Sequence, residues 1–304
     1  MPASSRPGAR PGGLVLLGLL VVMGAAWGLE FSMFKLATQA GYPGTGVLLV
    51  TLALIACVYL GLVVVRRRCF RPTRAMLLFF LVIALLGYVL PLLAALWAAP
   101  HVPAGLMTLI ASFTPVVAVV TALAFRTERV SPRRLLAVVL GTAAAVIVVL
   151  PELELPGFGI LGWLLLVFVV PATYGVESVY VSVAWPGDLD PLQVAVGQSL
   201  VALAVLLPGY LIWGDPIRYD PAWPAGQWAI LAVAGCVLVE VLLYFVIIQA
   251  SGGVLVNFNM YISLFAGFAW GWAIFGEHHG TEVWIAVALL VAGLAFTIPR
   301  RGER

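Results

Sequence analysis

Apolar residues run in blocks of roughly twenty along almost the whole chain, each closed by a few polar, proline or glycine positions. A helix rising 1.5 Å per residue needs about 20 such residues to cross the hydrocarbon core of a bilayer. The blocks predict ten spans, near residues 14–36, 44–65, 75–97, 103–125, 134–151, 159–183, 191–213, 227–250, 253–275 and 281–299. The connections are short and leave no room for a soluble domain. The expected fold is therefore an all-α polytopic membrane protein with ten transmembrane helices.

Composition supports the same class. Hydrophobic residues make up 63% of the 304, charged residues 10%, and mean hydropathy is +1.12, against about 25% charge in a soluble domain. The net charge of +3 says less than its placement. Arg6 and Arg10, Arg66 to Arg74, Arg126 to Arg134, and Arg300, Arg301 and Arg304 hold 14 of the 16 Lys and Arg. With ten spans, every one of these groups falls on one side. Cytoplasmic loops carry the Lys/Arg excess, so both termini are expected inside an inner (cell) membrane. The opposite loops carry Glu152, Glu154, Asp215, Asp220 and Glu282, whereas the inside loop near Pro186–Pro191 holds only Asp188 and Asp190. Residues 1–13 read as a disordered cytoplasmic N-terminus and 300–304 as a cytoplasmic tail. The first apolar run is too long for a signal peptide and leads into nine more spans.

The chain repeats weakly with a period of about 150 residues. Trp27-Gly28-Leu29-Glu30 matches Tyr174-Gly175-Val176-Glu177, and Gly87-Tyr88-Val89-Leu90 matches Gly235-Cys236-Val237-Leu238. Phe125 and Glu128 correspond to Phe275 and Glu277, and Pro151 to Pro299. This divides the chain into five-helix halves, 14–151 and 152–299. Five is odd, so the second half crosses the membrane upside down relative to the first. Inverted repeats of this kind build secondary transporters, with the binding site near the midplane between them.

The residues also resemble a known family. Gly24-Ala25-Ala26-Trp27-Gly28, with Phe31 and Lys35, is similar to the first-helix signature of the EamA family in the drug/metabolite transporter (DMT) superfamily. Pro103-Ala104-Gly105, Phe113-Thr114-Pro115-Val116, Glu128-Arg129-Val130-Ser131 and Gly141 look like that family's fourth helix, basic link and fifth helix. The second half departs from the pattern, since its ninth span carries Asn257 and Asn259 and no proline equivalent to Pro115. The resemblance implies a ten-helix carrier of small metabolites, often an exporter.

Three glutamates inside apolar spans carry the chemistry. A charged side chain at mid-bilayer costs roughly 2.5–3.5 kcal/mol on insertion scales and so marks an internal path by default. Counting helical rise puts Glu240 about 2–3 Å from the midplane, Glu30 roughly 7–8 Å toward the outside and Glu177 roughly 9 Å toward the inside. On that reading Glu240 is the central charge, carrying a coupling proton or pairing with an amine. Glu30 and Glu177 line gates or a proton path, together with Asn257 and Asn259. Trp27, Tyr88, Tyr174, Tyr261 and Tyr244 are expected in the substrate wall, although helix packing explains any single one equally well. Lys35 snorkels at the outer end. Pro115 is a hinge or a static kink. Gly24-xxx-Gly28 and Gly267-xxx-Gly271 permit close helix contact.

These features point to a secondary transporter working by alternating access. It would export small metabolites such as amino acids or related amines, with protons as the candidate coupling ion and no other cofactor. Its partners are the substrate and the lipid bilayer, with no nucleic acid. The alternative within transport is a cationic drug or polyamine exporter. A membrane-embedded enzyme fits less well, because His101, His278 and His279 and the scattered glutamates show no catalytic or metal-ligand spacing. A lipid scramblase is the other rival. Cys57, Cys69 and Cys236 form no disulfide framework, and no phosphate-binding loop is present.

Overall fold

The computed structural model describes residues 12–98, 101, 102, 107, 110–128, 130–149, 161–187, 189–220, 224–276 and 280–297. Several expectations fall outside these residues: the disordered N-terminal segment and the C-terminal tail, Pro103 to Gly105, Arg129, Pro151, Glu152, Glu154, Asp188, Glu277, His278, His279 and Pro299. The described residues are helical, with no strand. The helices are α1 (Gly13–Gln39), α2 (Gly44–Val65), α3 (Arg74–Ala84), α4 (Leu90–Ala98), α5 (Thr114–Ala124), α6 (Pro132–Val149), α7 (Leu161–Ala184), α8 (Pro191–Trp213), α9 (Ala225–Ser251), α10 (Gly253–Val256), α11 (Asn259–Phe275) and α12 (Thr281–Thr297). A π-helical turn, Leu85–Val89, joins α3 to α4.

Seven of these rods are long and apolar enough to cross a membrane: α1, α2, α3 running into α4, α7, α8, α9, and α10 with α11. Within the other three expected spans lie the shorter helices α5, α6 and α12. The protein is thus a multi-pass membrane protein. The fourth expected span is broken rather than bent. Ser112 and Phe113 form a turn, and Pro115 sits in the first turn of α5. Proline lacks the N–H that a helix interior needs but is tolerated in the first turn, where that donor has no partner anyway.

Helix ends follow local chemistry. Asp190 caps α8 by accepting from Gln193 N at 2.9 Å, while the Gln193 side chain accepts from Asp190 N at 2.8 Å. This reciprocal capping box satisfies two donors that the helix start would otherwise leave bare. Gly252, at φ +88°, ends α9 in a conformation that side chains rarely adopt.

Packing joins the two halves of the chain. α1 lies against α9 and α11, α7 lies against α4 and α5, α2 pairs with α8, and α6 with α12. The α1–α11 contact depends on small residues. A Cβ on Gly28 would meet the Gly267 backbone nitrogen and Ala266, and one on Gly24 would meet Ile262. Trp270 Nε1 donates to Ala25 O at 2.9 Å across the same seam. Gly267 gives its backbone to this contact while its own missing side chain faces open space.

The two ends of the bundle differ. At one end Arg68 Nη1 reaches Asp190 Oδ2 at 2.6 Å, and Gln193 Nε2 donates to Arg68 O at 2.6 Å. There too, Glu128 Oε1 accepts from Gly253 N at 2.6 Å and Val254 N at 3.3 Å, and Arg134 approaches its other oxygen at 3.4 Å. Trp97, Trp213, Trp228, Trp272 and Trp284 are exposed near helix ends on the opposite side, where amphipathic rings suit a membrane interface.

Replacing Gly28 with Val should destabilise the bundle by about 1–3 kcal/mol through overpacking. Gly267→Ala should change little. Size-exclusion recovery after graded heating in detergent checks both, with an early loss expected for Gly28→Val alone.

Candidate functional site

A cavity of about 1480 Å³ occupies the middle of the bundle. It is lined at one end by Lys35, Thr45, Trp213 and Phe275, and its floor is formed by Met23, Trp27, Tyr174, Tyr244 and Met260. Each lining helix presents one stripe. On α9 it is Val237, Glu240, Val241 and Tyr244; on α11 it is Met260, Ser263, Leu264, Gly267 and Gly271. Positions three and four apart share a helix face, so the walls inherit their composition directly from sequence spacing.

All three glutamates line this one cavity. Glu177 is 2% and Glu240 6% exposed. Glu30 and Glu240 lie carboxyl to carboxyl, within hydrogen-bonding reach. Glu30, expected toward the outer half of the path, thus stands beside Glu240 at the same level of the cavity. Depth counted along a helix axis ignores side-chain direction: every Cα–Cβ bond leans toward its own helix N-terminus. Glu30 on α1 and Glu240 on the oppositely running α9 therefore lean toward each other.

Glu177 has a different environment. Tyr244 OH donates to its Oε2 at 2.9 Å, and Gln198 Nε2 donates to its Oε1 at 2.9 Å. The same Gln198 nitrogen reaches Ile83 O at 3.0 Å, just before the π-helical turn. Gly87 in that turn makes the approach possible, because a Cβ there would collide with the Glu177 carboxyl and the Gln198 amide. π-turns inside α-helices often mark functional sites. Glu240 Oε1, by contrast, is buried without a hydrogen-bond partner.

The other expected residues divide. Trp27 and Tyr174 line the cavity and meet edge to face, with centroids 6.0 Å apart and an interplanar angle of 89°. Tyr88 also lines it, its hydroxyl buried without a partner. Lys35 lies at the mouth, its ammonium 4.3 Å from the Phe275 ring centroid. Tyr261 faces elsewhere, against the expectation that it joins the substrate wall. Its ring fills the slot left by Gly141 on α6, and its hydroxyl meets Thr142 Oγ1 at 2.7 Å and Val138 O at 3.2 Å. Asn257 is tied down, its amide donating to Ser178 Oγ at 2.7 Å and Gly253 O at 2.6 Å. Pro115 is buried in α5 and lines neither the cavity nor the void beneath it.

Gln198, bonded to Glu177, is the candidate site residue not singled out from the sequence. Its signal was an uncharged amide, 3% exposed, inside an apolar span where only a bundle partner can satisfy it. His101 stacks on Trp163 at 3.9 Å. The described residues hold no metal-ligating cluster.

Comparison with known proteins agrees with this architecture. Residues 14–150 match the EamA-like transporter family, which is part of the drug/metabolite transporter superfamily. The first half of the chain is thus similar to that family. No curated protein matches the sequence. A solved structure described only as the crystal structure of a protein superposes with a TM-score of 0.73 at 18% identity, over 91% of this chain and 96% of its own. That likeness concerns the fold alone, and it extends well beyond residue 150.

Gly87→Ala should push the Glu177 carboxyl off the π-turn and cost about 1–3 kcal/mol. Gly209→Ala, at another lining glycine with open space beside it, should leave stability unchanged. Thermal unfolding of the two variants in detergent checks the contrast.

Proposed function

We propose that this chain is a secondary transporter of the inner membrane that exports amino acids or related amines by alternating access, in exchange for protons. The observation that carries this reading is the Glu30–Glu240 pair inside an aromatic-walled cavity. Two ionised carboxylates offer each other only acceptors, and like charges at that separation disfavour joint ionisation. A proton between them relieves the conflict. So does the ammonium group of a substrate, which donates to both. Binding one then favours release of the other, and that exclusion is the core of an exchange mechanism.

The wall fits the rest of such a substrate. Trp27, Tyr88 and Tyr174 offer apolar surface, and pockets of this kind fix small ligands through a few placed polar groups. Glu177, held by Gln198 and Tyr244, sets the negative field on the facing helix α7.

The packing supports two inverted five-helix halves, 14–151 and 152–299. Exchanging each span with the one five later turns the α1 contacts with α9 and α11 into the α7 contacts with α4 and α5. The α2–α8 and α6–α12 pairs map onto themselves. A rotation relating the halves predicts this pattern, and such carriers switch access by rocking one repeat against the other. With the arginine loops cytoplasmic, both termini lie inside and the cavity mouth faces outward, the side on which an exporter releases its cargo.

The acid surplus favours a second reading, an exporter of larger organic cations or polyamines. Among the described residues lining the cavity, Lys35 is the one Lys, Arg or His, and it stands at the mouth.

Counterflow in proteoliposomes against a panel of amino acids and amines, with and without a pH gradient, tests both readings. Purified protein should accumulate at least one labelled panel member and respond to the gradient. Glu240→Gln should lower that flux at least about tenfold, in line with losing a charge-assisted hydrogen bond of roughly 1.5–3 kcal/mol. Full, pH-coupled flux in a normally folded Glu240→Gln protein would remove Glu240 from the mechanism.

A further inference from the structure

Beneath the floor of the main cavity lies a second, smaller void of about 20 Å³. Met23, Trp27, Tyr174, Tyr244 and Met260 line both spaces. The two are separated by a partition one side chain thick. Trp27 and Tyr174 meet edge to face within it, and Tyr244 is fixed through its hydroxyl to Glu177.

On its far side the void is bounded by Val256, Asn257 and Asn259. Asn257 spends its amide hydrogens on Ser178 and Gly253. Asn259 does not: it is 1% exposed, and neither its Nδ2 nor its Oδ1 has a partner. Buried side-chain polar atoms nearly always find one. A void of this volume has room for one water, which can accept from Nδ2 and donate to Oδ1.

The position of the void gives it meaning. Asn259 opens α11 just past a tightened turn at Asn257 and Phe258, where the backbone stays right-handed helical and Met260 N and Tyr261 N bond three residues back. Tight 3₁₀-type stretches inside a longer helix often mark a functional hinge. Beyond the void, the chain is sealed by Glu128 on Gly253 and Val254 and by Arg68 on Asp190. The void therefore lies between the open cavity and the closed end.

We infer that Asn259 is a second polar station on the transport path. It holds a single water while the Trp27–Tyr174–Tyr244 partition is shut, and it takes the substrate's ammonium group on Oδ1 once the partition parts. This rests on the transport reading above and adds a step to it: cargo passes two polar sites in series, a charged one at Glu30–Glu240 and a neutral one at Asn259.

The test uses a chain with Cys57, Cys69 and Cys236 replaced by Ser and with Asn259→Cys, in proteoliposomes. The probe is the cationic thiol reagent 2-(trimethylammonium)ethyl methanethiosulfonate, applied from the side on which the cavity opens. Ser263→Cys in the same background reports entry into the main cavity. With the partition intact, position 259 should label at least about tenfold more slowly than position 263. Trp27→Ala, or Tyr174→Ala should the first variant not fold, should remove most of that difference. Equal labelling with the partition intact, or no labelling at 259 in either variant while 263 reacts, would overturn the station.

A second measurement uses the panel member that gives counterflow. Asn259→Leu should keep its equilibrium binding within about twofold and lose at least about tenfold in flux. Unchanged flux, or binding lost together with flux, would also overturn the station. Absence of flux in the unmodified protein alongside the expected labelling would sink the transport reading and leave the partition standing, so the two failures are distinguishable.

Discussion

Hydrocarbon offers no hydrogen bonds, and this constraint organises the interior. Every polar group inside the bundle must find its partner on a neighbouring helix or border a water-filled space. Glu177 shows the first solution. Its carboxyl draws Tyr244 from α9, Gln198 from α8 and, through Gln198, the Ile83 carbonyl beside the π-turn. Four structural elements are fastened through one side chain. Glu30 and Glu240 show the second solution, since their carboxyls meet each other and the cavity. The contrast gives the two acidic sites different capacities. Glu177 is satisfied as it stands, whereas the pair is complete only with a proton or a cation between its members.

The same constraint explains why the two ends of the bundle are unlike. At the arginine-rich end the halves are latched by charged and backbone groups: Arg68 with Asp190 and Gln193, and Glu128 with the start of α10. The Arg68–Asp190 pair, with Arg68 more than half exposed, is of the weak surface kind, about 0–1 kcal/mol. Glu128 is mostly buried and accepts from two backbone N–H groups, and charge-assisted bonds of that kind contribute about 1.5–3 kcal/mol. At the other end the cavity walls separate, with Trp213 and Trp97 among the lining side chains.

Much of this was legible in the sequence because hydropathy is a one-dimensional signal. The spans, the side carrying the arginines and the burial of Glu177 and Glu240 follow from it. What failed to follow was azimuth. Tyr261 lies on the edge of the cavity-facing stripe, only about 20° round the helix from Phe268, which lines the cavity, so its helical position alone does not decide which way the ring turns. A polar aromatic in an apolar span does not reveal its direction until Gly141 on α6 is seen to provide the slot. Glu30 was displaced for a related reason, because axial rise locates a Cα and not the carboxyl several bonds away. Pro115 was legible as a helix disturbance, but whether proline bends a span or begins a new helix depends on the turn before it.

Gln198 shows where sequence reading and physical reasoning can be made to meet. The glutamates and the asparagine pair of the ninth span stand out in the sequence, whereas Gln198 lies in a helix whose surroundings give no such signal. In hydrocarbon an unpaired amide is also costly. Ranking every buried hydrogen-bonding side chain, charged or not, places Gln198 alongside Asn259 and the glutamates. The two amides then separate by satisfaction. Gln198 reaches two acceptors and stiffens the site, whereas Asn259 reaches none and faces a space. A buried group that is fully bonded serves the fold, and one left open beside a water-sized void is available to something that moves.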